Sequence, residues 1–421
     1  MRLELALGQL LAAAQPVAGE QMAATLDADG RVLARDIGSG LDVPGFDNSS
    51  MDGYAVRCAE VAAAIAAGTA LPVSQRIAAG QFGPALQAGS VARIFTGAPV
   101  PEGADAVVMQ EDAEVLADGS VRLQQAPAVG QFIRRRGEDI RQGQTVLRAG
   151  TRLGPAELGL AASLGLAELP VRPRLRVALF STGDELVLPG AVAPEAMPPG
   201  AIYNSNRYFL VLLLRRLGCE VSDMGTVPDR LDATLAALRT AAQAHDLILS
   251  SGGVSVGEED HVKPAVQQLG GLDLWQIAIK PGKPFAQGWI ARARQADGRC
   301  HFVGLPGNPV SSFVTFLLLA RPFVLRLQGV TAGRGIEPCG ADGLPPALRL
   351  QAHFDWPRAD RRREFLRVRR NAEGGLDLFP NQSSGVLTSV AWCDGLVDLP
   401  AGATIAHGDP VAFIPLAALL G

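Results

Sequence analysis

The spacing of hydrophobic and polar positions divides the 421-residue chain into four regions. Up to about residue 40, helical spacing predicts one helix at 5–14 and a second at about 26–35. From residue 41 to 143, short apolar runs alternate with Gly and Pro, which is typical of a β-rich module. A further helical stretch at 155–164 indicates a return to the first region, so that the β-rich module is an insertion.

The third region has the clearest pattern, because short buried strands alternate in it with amphipathic helices. This alternation predicts a parallel α/β sheet covered on both faces. The predicted strands are RVALFST, CEVSDMGTV, DLILSSGG, LWQIAI and CHFVGLP. The predicted helices include YNSNRYFLVLLLRRLG, opened by a capping Asn or Ser and closed by Gly218, and ATLAALRTAAQAH. The fourth region contains only short β runs and predicts a small all-β domain.

A chain of this length exceeds the roughly 250–300 residues that one hydrophobic core serves, so several domains are expected. We predict a multidomain α/β plus β protein. Its domains are 1–40 with 144–169 (helical), 41–143 (inserted, β-rich), 170–329 (α/β) and 330–421 (C-terminal, β).

Composition excludes several classes of protein. The net charge is −4, without a long basic run, so nucleic-acid binding is not expected. The five cysteines form no CxxC pair, which disfavours a disulfide framework or zinc site and suits a reducing cytoplasm. Uninterrupted apolar runs stay below the ~18 residues of a membrane span, so no membrane span is expected. The arginines at 361–370 indicate either an exposed strand edge or an anion site.

Polar residues follow each of the five predicted strands of the third region. Ligands of parallel α/β sheets bind beyond the carboxyl ends of the strands, so these residues are candidates for a site. The segments are STGDE at 181–185, PD at 228–229, SGGVSVGEED at 251–260, KPGKP at 280–284 and LPGNP at 305–309.

These residue types suit phosphate-ester chemistry. The SSGG sequence lets backbone N–H groups approach an anion. The carboxylates Glu185, Asp229 and Asp260 are suitable ligands for Mg²⁺, and Lys280 and Lys283 for a phosphate or oxyanion. Alternatively, the glycines and KPGKP form simple turns, and Asp229 caps the next helix. A Walker motif and a GxGxxG motif are both missing from the sequence.

A second group of turn-rich, acidic segments lies in the first half. They are FDNSSMDGYAVR at 46–57, FTGAPVPEGADAVVMQE at 95–111 and RRRGEDI at 134–140. Taken alone, they favour β-turns with a solvated salt bridge between Glu138 or Asp139 and the three arginines.

Together these segments resemble the signatures of molybdopterin molybdotransferases, a family that includes the E domain of gephyrin. The resemblance rests on DNSSMDGYAVR, FTGAPVPEGADAVVMQE, RRRGEDI, STGDEL, IYNSNR, SSGGVSVGEEDH, IAIKPGKPFA, GLPGNPVSS and RREF, in order along nearly the whole chain. Only the proline-rich stretch at 189–200 departs from the usual length.

The resemblance implies a fold and an assembly. The fold is a helical linker domain, an inserted β domain, an α/β domain similar to molybdopterin adenylyltransferases, and a small β-barrel-like C-terminal domain. The assembly is an elongated homodimer, in which the third and fourth domains of one subunit share a cleft with the second domain of the other.

The resemblance also implies roles for individual residues. Its catalytic residues are Asp52, Asp139, Glu185, Asp229 and Asp260, of which Glu185, Asp229 and Asp260 hold Mg²⁺. Its substrate-binding residues are Thr182, Ser251, Gly252, Gly253, Ser255, Lys280, Lys283, Pro306, Pro309 and, by a looser match, Arg362 and Ser384.

The implied reaction is the final step of molybdenum-cofactor biosynthesis: molybdate is inserted into adenylylated molybdopterin, and AMP is released. Transient contacts with molybdopterin adenylyltransferase and molybdoenzyme chaperones are expected. Two alternatives remain, an adenylyltransferase and a scaffold that has lost catalysis. Tungstate is as suitable a substrate as molybdate, because the two oxyanions have almost the same size.

Overall fold

The computed structural model describes residues 1–254, 261–292, 298–331 and 347–420. Its contacts separate two compact units. We call residues 1–35, 149–159 and 167–421 the main unit, and residues 36–148 with 160–166 the inserted unit. The division of the chain into four domains stays a prediction.

The helices and strands of the described residues have the following bounds. The helices are α1 (Leu3–Ala13), α2 (Cys58–Ala67), α3 (Pro155–Ser163), α4 (Ser205–Arg216), α5 (Leu231–Ala244), α6 (Val262–Leu269), α7 (Pro309–Thr315), α8 (Arg321–Leu327), α9 (Thr388–Trp392) and α10 (Leu416–Leu420). The strands are β1 (Gln21–Ala24), β2 (Ile37–Gly38), β3 (Asn48–Ser49), β4 (Gly53–Val56), β5 (Val73–Ile77), β6 (Val91–Ile94), β7 (Ala106–Met109), β8 (Ala113–Val115), β9 (Val121–Leu123), β10 (Ile133–Arg134), β11 (Thr145–Leu147), β12 (Glu168–Val171), β13 (Arg176–Thr182), β14 (Leu186–Val187), β15 (Ile202–Tyr203), β16 (Glu220–Val227), β17 (Leu247–Ser251), β18 (Gly270–Gln276), β19 (Ile279–Lys280), β20 (Pro284–Ala291), β21 (Arg299–Leu305), β22 (Leu348–Gln351), β23 (Arg363–Arg370), β24 (Leu376–Leu378), β25 (Gly395–Leu399) and β26 (Pro410–Pro415).

The large sheet of the main unit is mixed, because it adds strand β20 to the parallel strands predicted from the sequence. Its strand order is β16-β13-β17-β21-β20-β18. The first four strands are parallel, whereas β20 is antiparallel to both of its neighbours. Antiparallel strands need no crossover helix, and β20 follows β18 along the chain after only the short strand β19 and a loop. The five predicted strands nevertheless all run in one direction, because β20 reverses the chain between β18 and β21.

Both faces of this sheet are covered, as the sequence predicts. On β13, Val177 and Leu179 face one core, and Ala178 and Phe180 face the other. This alternation follows from the two-residue period of a strand. The first core includes residues of α1, α4, α7 and α8, and the second includes residues of α5 and α6.

The predicted helix α4 is confirmed, together with its start and end signals. The side chain of Asn204 accepts a hydrogen bond from the backbone N–H of Arg207 at 3.2 Å, which caps the first turn. After the helix, Gly218 adopts a positive φ of 84°, a conformation that glycine adopts without steric cost.

The stretch Pro309–Leu327 is the one helix of the described residues that is long and apolar enough to cross a membrane, and 89% of its most apolar window is buried inside the protein. It forms α7 and α8, joined by a π-helical turn at Phe316–Ala320. Pro322 is the second residue after this turn, and proline cannot donate the regular helical hydrogen bond. Burial identifies this stretch as a core helix.

The predicted second helix near the N-terminus is wrong. Strand β1 pairs with β12, and a short 3-10 turn follows at Thr25–Asp27. Residues Val32 and Leu33 then form isolated bridges with Arg152 and Val171. The glycine at position 30 has a positive φ of 70°, which ends any helix there. Helices α1 and α3 are confirmed.

The C-terminal part of the main unit forms a second sheet of order β19-β23-β25-β26-β22, with β24 paired to β23. Strand β19 comes from the third sequence region and runs parallel to β23, with Lys280 opposite Glu364. The chain therefore places KPGKP beside the C-terminal sheet.

The inserted unit contains a four-stranded sheet of order β5-β6-β4-β7. Its strand β4 is completely buried and separates two small cores, with Tyr54 and Val56 on one side and Ala55 on the other. The β-rich prediction is confirmed, although the sequence analysis missed α2, whose Ala-rich sequence has a weak helical pattern.

Candidate functional site

The carboxyl ends of the large sheet form a cleft of about 670 Å³. Each predicted strand end supplies lining residues, although the lysine segment supplies only Pro284, and β15, α4, α7 and the loop before α9 complete the walls. The predicted site residues that line the cleft are Thr182, Glu185, Asp229, Ser251, Gly252, Gly253, Pro306 and Pro309. Ser255 and Asp260 lie outside the described residues.

The glycine loop is tightly packed, which explains its sequence. Gly252 and Gly253 both have positive φ, of 90° and 67°. A Cβ on Gly252 would lie 2.8 Å from the carbonyl oxygen of Thr182, and one on Gly253 would lie 2.4 Å from Val262. The N–H of Gly252 donates to the carbonyl of Leu305 at 3.0 Å. The N–H of Gly252 is therefore engaged within the protein, so the whole SSGG sequence is not free to bind an anion.

Asn206 connects two predicted site segments, a role that the sequence analysis missed. Its side-chain amide donates to the hydroxyl of Ser251 at 2.9 Å and to the carbonyl of Gly307 at 2.7 Å. Asn206 is buried in the first turn of α4, so the helix fixes both loops. The available signal was the motif IYNSNR, in which Asn206 is a polar residue at the start of an apolar helix.

Two carboxylates, Glu185 and Asp229, lie in the cleft wall. Burial raises the pKa of Asp229, and the neighbouring carboxylates of Asp184 and Glu185 raise it further by repulsion. The capping alternative for Asp229 is wrong, because α5 begins after Arg230 with no side-chain cap. Within the described ranges, no group of three metal-ligating side chains occurs, and the third expected acid, Asp260, is outside them.

Substituting Asp229 with Asn is expected to stabilise the protein at neutral pH. The pKa of Asp229 is higher in the folded than in the unfolded protein, so its ionisation costs stability. The cost applies in full at pH 7, where the carboxylate is ionised. It disappears as the pH falls through the pKa of Asp229 in the folded protein to the ordinary aspartate pKa of ~4. Because Asp229 is partly exposed, we expect a gain below about 1 kcal/mol, measured by urea unfolding at pH 7 and pH 4.

The control for this prediction is Asp232→Asn, which removes an exposed carboxylate that pairs with Arg230. The pKa of Asp232 is lowered by that pairing, so its substitution should not stabilise the protein at pH 7. An Asp229→Asn variant that is no more stable at pH 7 than at pH 4, relative to the original protein, would contradict the expectation.

The lysine segment approaches the cleft from the C-terminal sheet. Lys283 is exposed, and its carbonyl accepts a hydrogen bond from Ile277 at 3.0 Å. The peptide bond between Lys280 and Pro281 is cis. A Cβ on Gly282 would lie 2.4 Å from the side chain of Thr315, so the loop is packed on α7, and its last residue, Pro284, lines the cleft.

Lys280 and Arg362 belong to one group of charges, which we call the oxyanion cluster: Lys280, Asp360, Arg362 and Glu364. The ammonium group of Lys280 lies 2.8 Å from Glu364 and 3.4 Å from Asp360. Arg362 makes a two-point contact with Asp360, at 3.1 and 3.0 Å. The sequence analysis identified both cations but missed both carboxylates, because RADRRREF gives no local sign of which charges pair.

Ser384 is attached to the cleft through its main chain. Its carbonyl accepts a hydrogen bond from Val310 in the first turn of α7 at 3.0 Å, and Gly385 lines the cleft. The loop is held by Arg367, a buried residue whose guanidinium donates to the carbonyl of Ser383 at 3.3 Å. The alternative of an exposed strand edge at 361–370 is wrong for Arg367, which is 1% exposed, whereas Arg369 and Arg370 are exposed. The alternative of an anion site stays a prediction.

Asp52 and Asp139 both lie in the inserted unit. Asp52 accepts hydrogen bonds from the N–H and the hydroxyl of Thr96, both at 2.8 Å, and these lower its pKa. Asp139 is exposed. The expected salt bridges of RRRGEDI have different partners, because Arg135 pairs with Asp47 and Arg136 with Asp42.

A glycine loop, two carboxylates and a nearby pair of cations at the carboxyl ends of α/β strands are typical of proteins that bind anionic ligands. Family models give the more specific class. Residues 1–165 match "MoeA N-terminal region (domain I and II)", residues 178–326 match "Probable molybdopterin binding domain", and residues 349–416 match "MoeA C-terminal region (domain IV)".

Individual relatives agree. The chain is 44% identical over 303 residues to a molybdopterin molybdenumtransferase of Haemophilus influenzae, covering 72% of each chain. It is 37% identical to one of Synechococcus elongatus, covering 92% of each. A solved molybdopterin biosynthesis moeA protein of Pyrococcus horikoshii matches with a TM-score of 0.81 and 25% identity, covering 98% of this chain and 99% of that one. The chain belongs to the MoeA family.

Proposed function

We propose that this chain is a molybdopterin molybdotransferase, a transferase that inserts molybdate into adenylylated molybdopterin in the last step of molybdenum-cofactor biosynthesis. The names of the relatives support the activity. The observation that carries the proposal is the cleft, whose wall contains a glycine loop and two carboxylates. Lys280 and Arg362 belong to the same unit as this cleft.

In the proposed reaction, the protein binds and orients two anions. The phosphates of adenylylated molybdopterin lie at the loop that begins at Gly253, whose lack of a side chain permits close approach. Molybdate is held by Lys280, Lys283, Arg362 and Ser384, next to the dithiolene sulfurs. The two thiols bond to molybdenum and give up their protons, which leave with one molybdate oxygen as water. A water molecule cleaves the phosphoanhydride, so that AMP leaves and the pterin keeps its terminal phosphate.

The acidic wall of the cleft suits Mg²⁺. Glu185 and Asp229 provide two hard oxygen donors, and Mg²⁺ is often bound by one or two carboxylates together with substrate phosphates. Repulsion from the neighbouring carboxylates contributes to the raised pKa of Asp229. A bound cation would relieve this repulsion. When bound, Mg²⁺ would neutralise the negative charge that develops on the phosphate. Asp260 is proposed as a third ligand from the family resemblance.

The decisive experiment is to incubate the protein with adenylylated molybdopterin and Mg²⁺, adding either molybdate or tungstate, and to measure AMP release. The proposal requires AMP release that depends on the oxyanion. A chain that instead forms adenylylated molybdopterin from ATP and molybdopterin would be an adenylyltransferase. A chain that binds the adenylylated pterin without turning it over would be a scaffold.

We further propose a homodimer with shared active sites, in which Asp52 and Asp139 of one subunit act at the cleft of the other. Two inactive variants, Asp52→Ala and Glu185→Ala, should then regain part of the activity when heterodimers form, because one of the two sites is intact. Verified heterodimers without any activity would contradict a shared site.

Substituting Lys280 with Ala is expected to weaken molybdate binding at least about tenfold, because a charge-assisted contact to a dianion is lost. Binding of adenylylated molybdopterin should change much less, since its phosphates lie at the glycine loop. Calorimetric titration with each ligand measures both effects. Lys263→Ala, which removes the same charge from α6, is the control, and equal losses in the two variants would exclude a specific role for Lys280.

A further inference from the structure

The oxyanion cluster has no net charge in this structure, although it is proposed to hold a dianion. Its two cations, Lys280 and Arg362, are matched by the carboxylates of Asp360 and Glu364. A tetrahedral oxyanion that entered this arrangement would add two negative charges beside two existing ones. At such distances like charges repel strongly, so one of the carboxylates must give way.

The geometry shows which carboxylate already occupies an anion position. A single oxygen of Asp360, Oδ2, lies 3.0 Å from Nη2 of Arg362 and 3.4 Å from Nζ of Lys280. The other oxygen, Oδ1, accepts from Nε and from the backbone N–H of Arg362, at 3.1 and 3.0 Å. Asp360 thus makes the two-point contact with an arginine that an oxyanion prefers, and it bridges the two cations.

Glu364 is fixed, in contrast to Asp360. It lies within strand β23 and is 2% exposed. Its Oε2 accepts a hydrogen bond from the indole N–H of Trp356 at 3.0 Å, while its Oε1 contacts Lys280. Asp360 precedes the strand, and its side chain is 20% exposed, so a rotation of that side chain would bring it into water. The contacts with Arg362 lower the pKa of Asp360, so it stays ionised at neutral pH.

We propose that Asp360 is an internal competitor for the oxyanion: its carboxylate occupies the space between Lys280 and Arg362, and an incoming tetrahedral dianion displaces it. Glu364 stays in place and positions Lys280. This inference rests on the proposed function, because it takes Lys280 and Arg362 as the residues that hold molybdate. It adds a residue that sets how tightly the site holds a free oxyanion.

The test is calorimetric titration of the full-length protein with molybdate at mildly alkaline pH and low ionic strength. Asp360→Asn and Asp360→Ala should both raise molybdate affinity roughly tenfold, since the contacts of Asp360 with Lys280 and Arg362, which the anion must replace, are weakened or lost. Glu364→Gln removes the same charge and also touches Lys280, but it should not raise the affinity, because it loosens the support of that lysine. Urea unfolding of each variant verifies that it is folded.

Every other outcome would contradict the proposed competition. Unchanged affinity in both Asp360 variants would overturn the competition. Lower affinity would show that Asp360 orients Arg362 for the anion, which also overturns it. An equal gain in molybdate affinity in Asp360→Asn and Glu364→Gln would show that the gain comes from the loss of one negative charge, which overturns the competition as well. Failure of the original protein and of every variant to bind molybdate would instead overturn the proposed oxyanion site, and the competition with it.

Discussion

Substituting Glu185 with Gln is expected to lower the rate of AMP release by about 10²–10³, because it removes a carboxylate that would hold Mg²⁺ beside the negative charge developing on the phosphate. Glu185 lies in the cleft wall, and its backbone carbonyl accepts a hydrogen bond from Ile202 at 2.9 Å. Gln keeps the shape of the side chain but removes its charge. The loss should appear in kcat rather than in the binding of adenylylated molybdopterin, which single-turnover kinetics and calorimetry separate.

The control for Glu185→Gln is Glu195→Gln, which neutralises an exposed carboxylate in the proline-rich loop. It should leave the rate of AMP release unchanged. Partial recovery of the Glu185→Gln variant by excess Mg²⁺ would support the proposed role of this acid in binding the cation. Nearly normal AMP release by Glu185→Gln at limiting Mg²⁺ would exclude that role.

Substituting Arg367 with Ala is expected to lower the free energy of unfolding by about 3–5 kcal/mol, because it leaves a cavity and removes the donor from three acceptors. The guanidinium donates to the carbonyls of Phe365 and Ser383 and to the hydroxyl of Ser389, at 3.2, 3.3 and 3.2 Å. Burial lowers the pKa of Arg367 to about 10, so it remains charged at neutral pH. Urea unfolding measures the loss.

Arg369→Ala is the matched control, since Arg369 lies two residues further along the same strand and is exposed. Its guanidinium is 4.5 Å from the ring centre of Trp392, a contact typically worth about 0.5–1 kcal/mol at an exposed site. Similar losses for the two substitutions would contradict the structural role of Arg367. Arg367 also holds the loop of Ser384. In the conservative variant Arg367→Lys, the free energy of molybdate binding should therefore fall by more than the free energy of unfolding.

Local chemistry made much of this protein predictable from its sequence. The period of apolar residues gave the strands β13, β16, β17 and β21 and the helices α4 and α5. Capping and turn residues, such as Asn204 and Gly218, gave their limits. The polar segments after successive strands indicated one cleft, because strands that run in the same direction end at the same edge. These patterns depend on residues that are close together in the chain, so they can be recognised from the sequence alone.

The family membership was also determined by the sequence. Its signature segments are long and lie in order along nearly the whole chain, and the family models match the same regions. The roles of individual site residues stay predictions, and the structure limits how they can act. It brings eight of them to the cleft wall and places Asp52 and Asp139 in the inserted unit.

Only the tertiary structure decided how the charges pair and which strand lies beside which. Strand β20 enters the sheet antiparallel, and β19 joins the C-terminal sheet, where Lys280 comes to lie opposite Glu364. Within 361–370, Arg367 is buried and Arg369 is exposed, although the two side chains are chemically identical. The physical reason is that burial and ion pairing depend on residues far apart in the chain, such as Lys280 and Asp360, whose approach is fixed by packing of the whole unit.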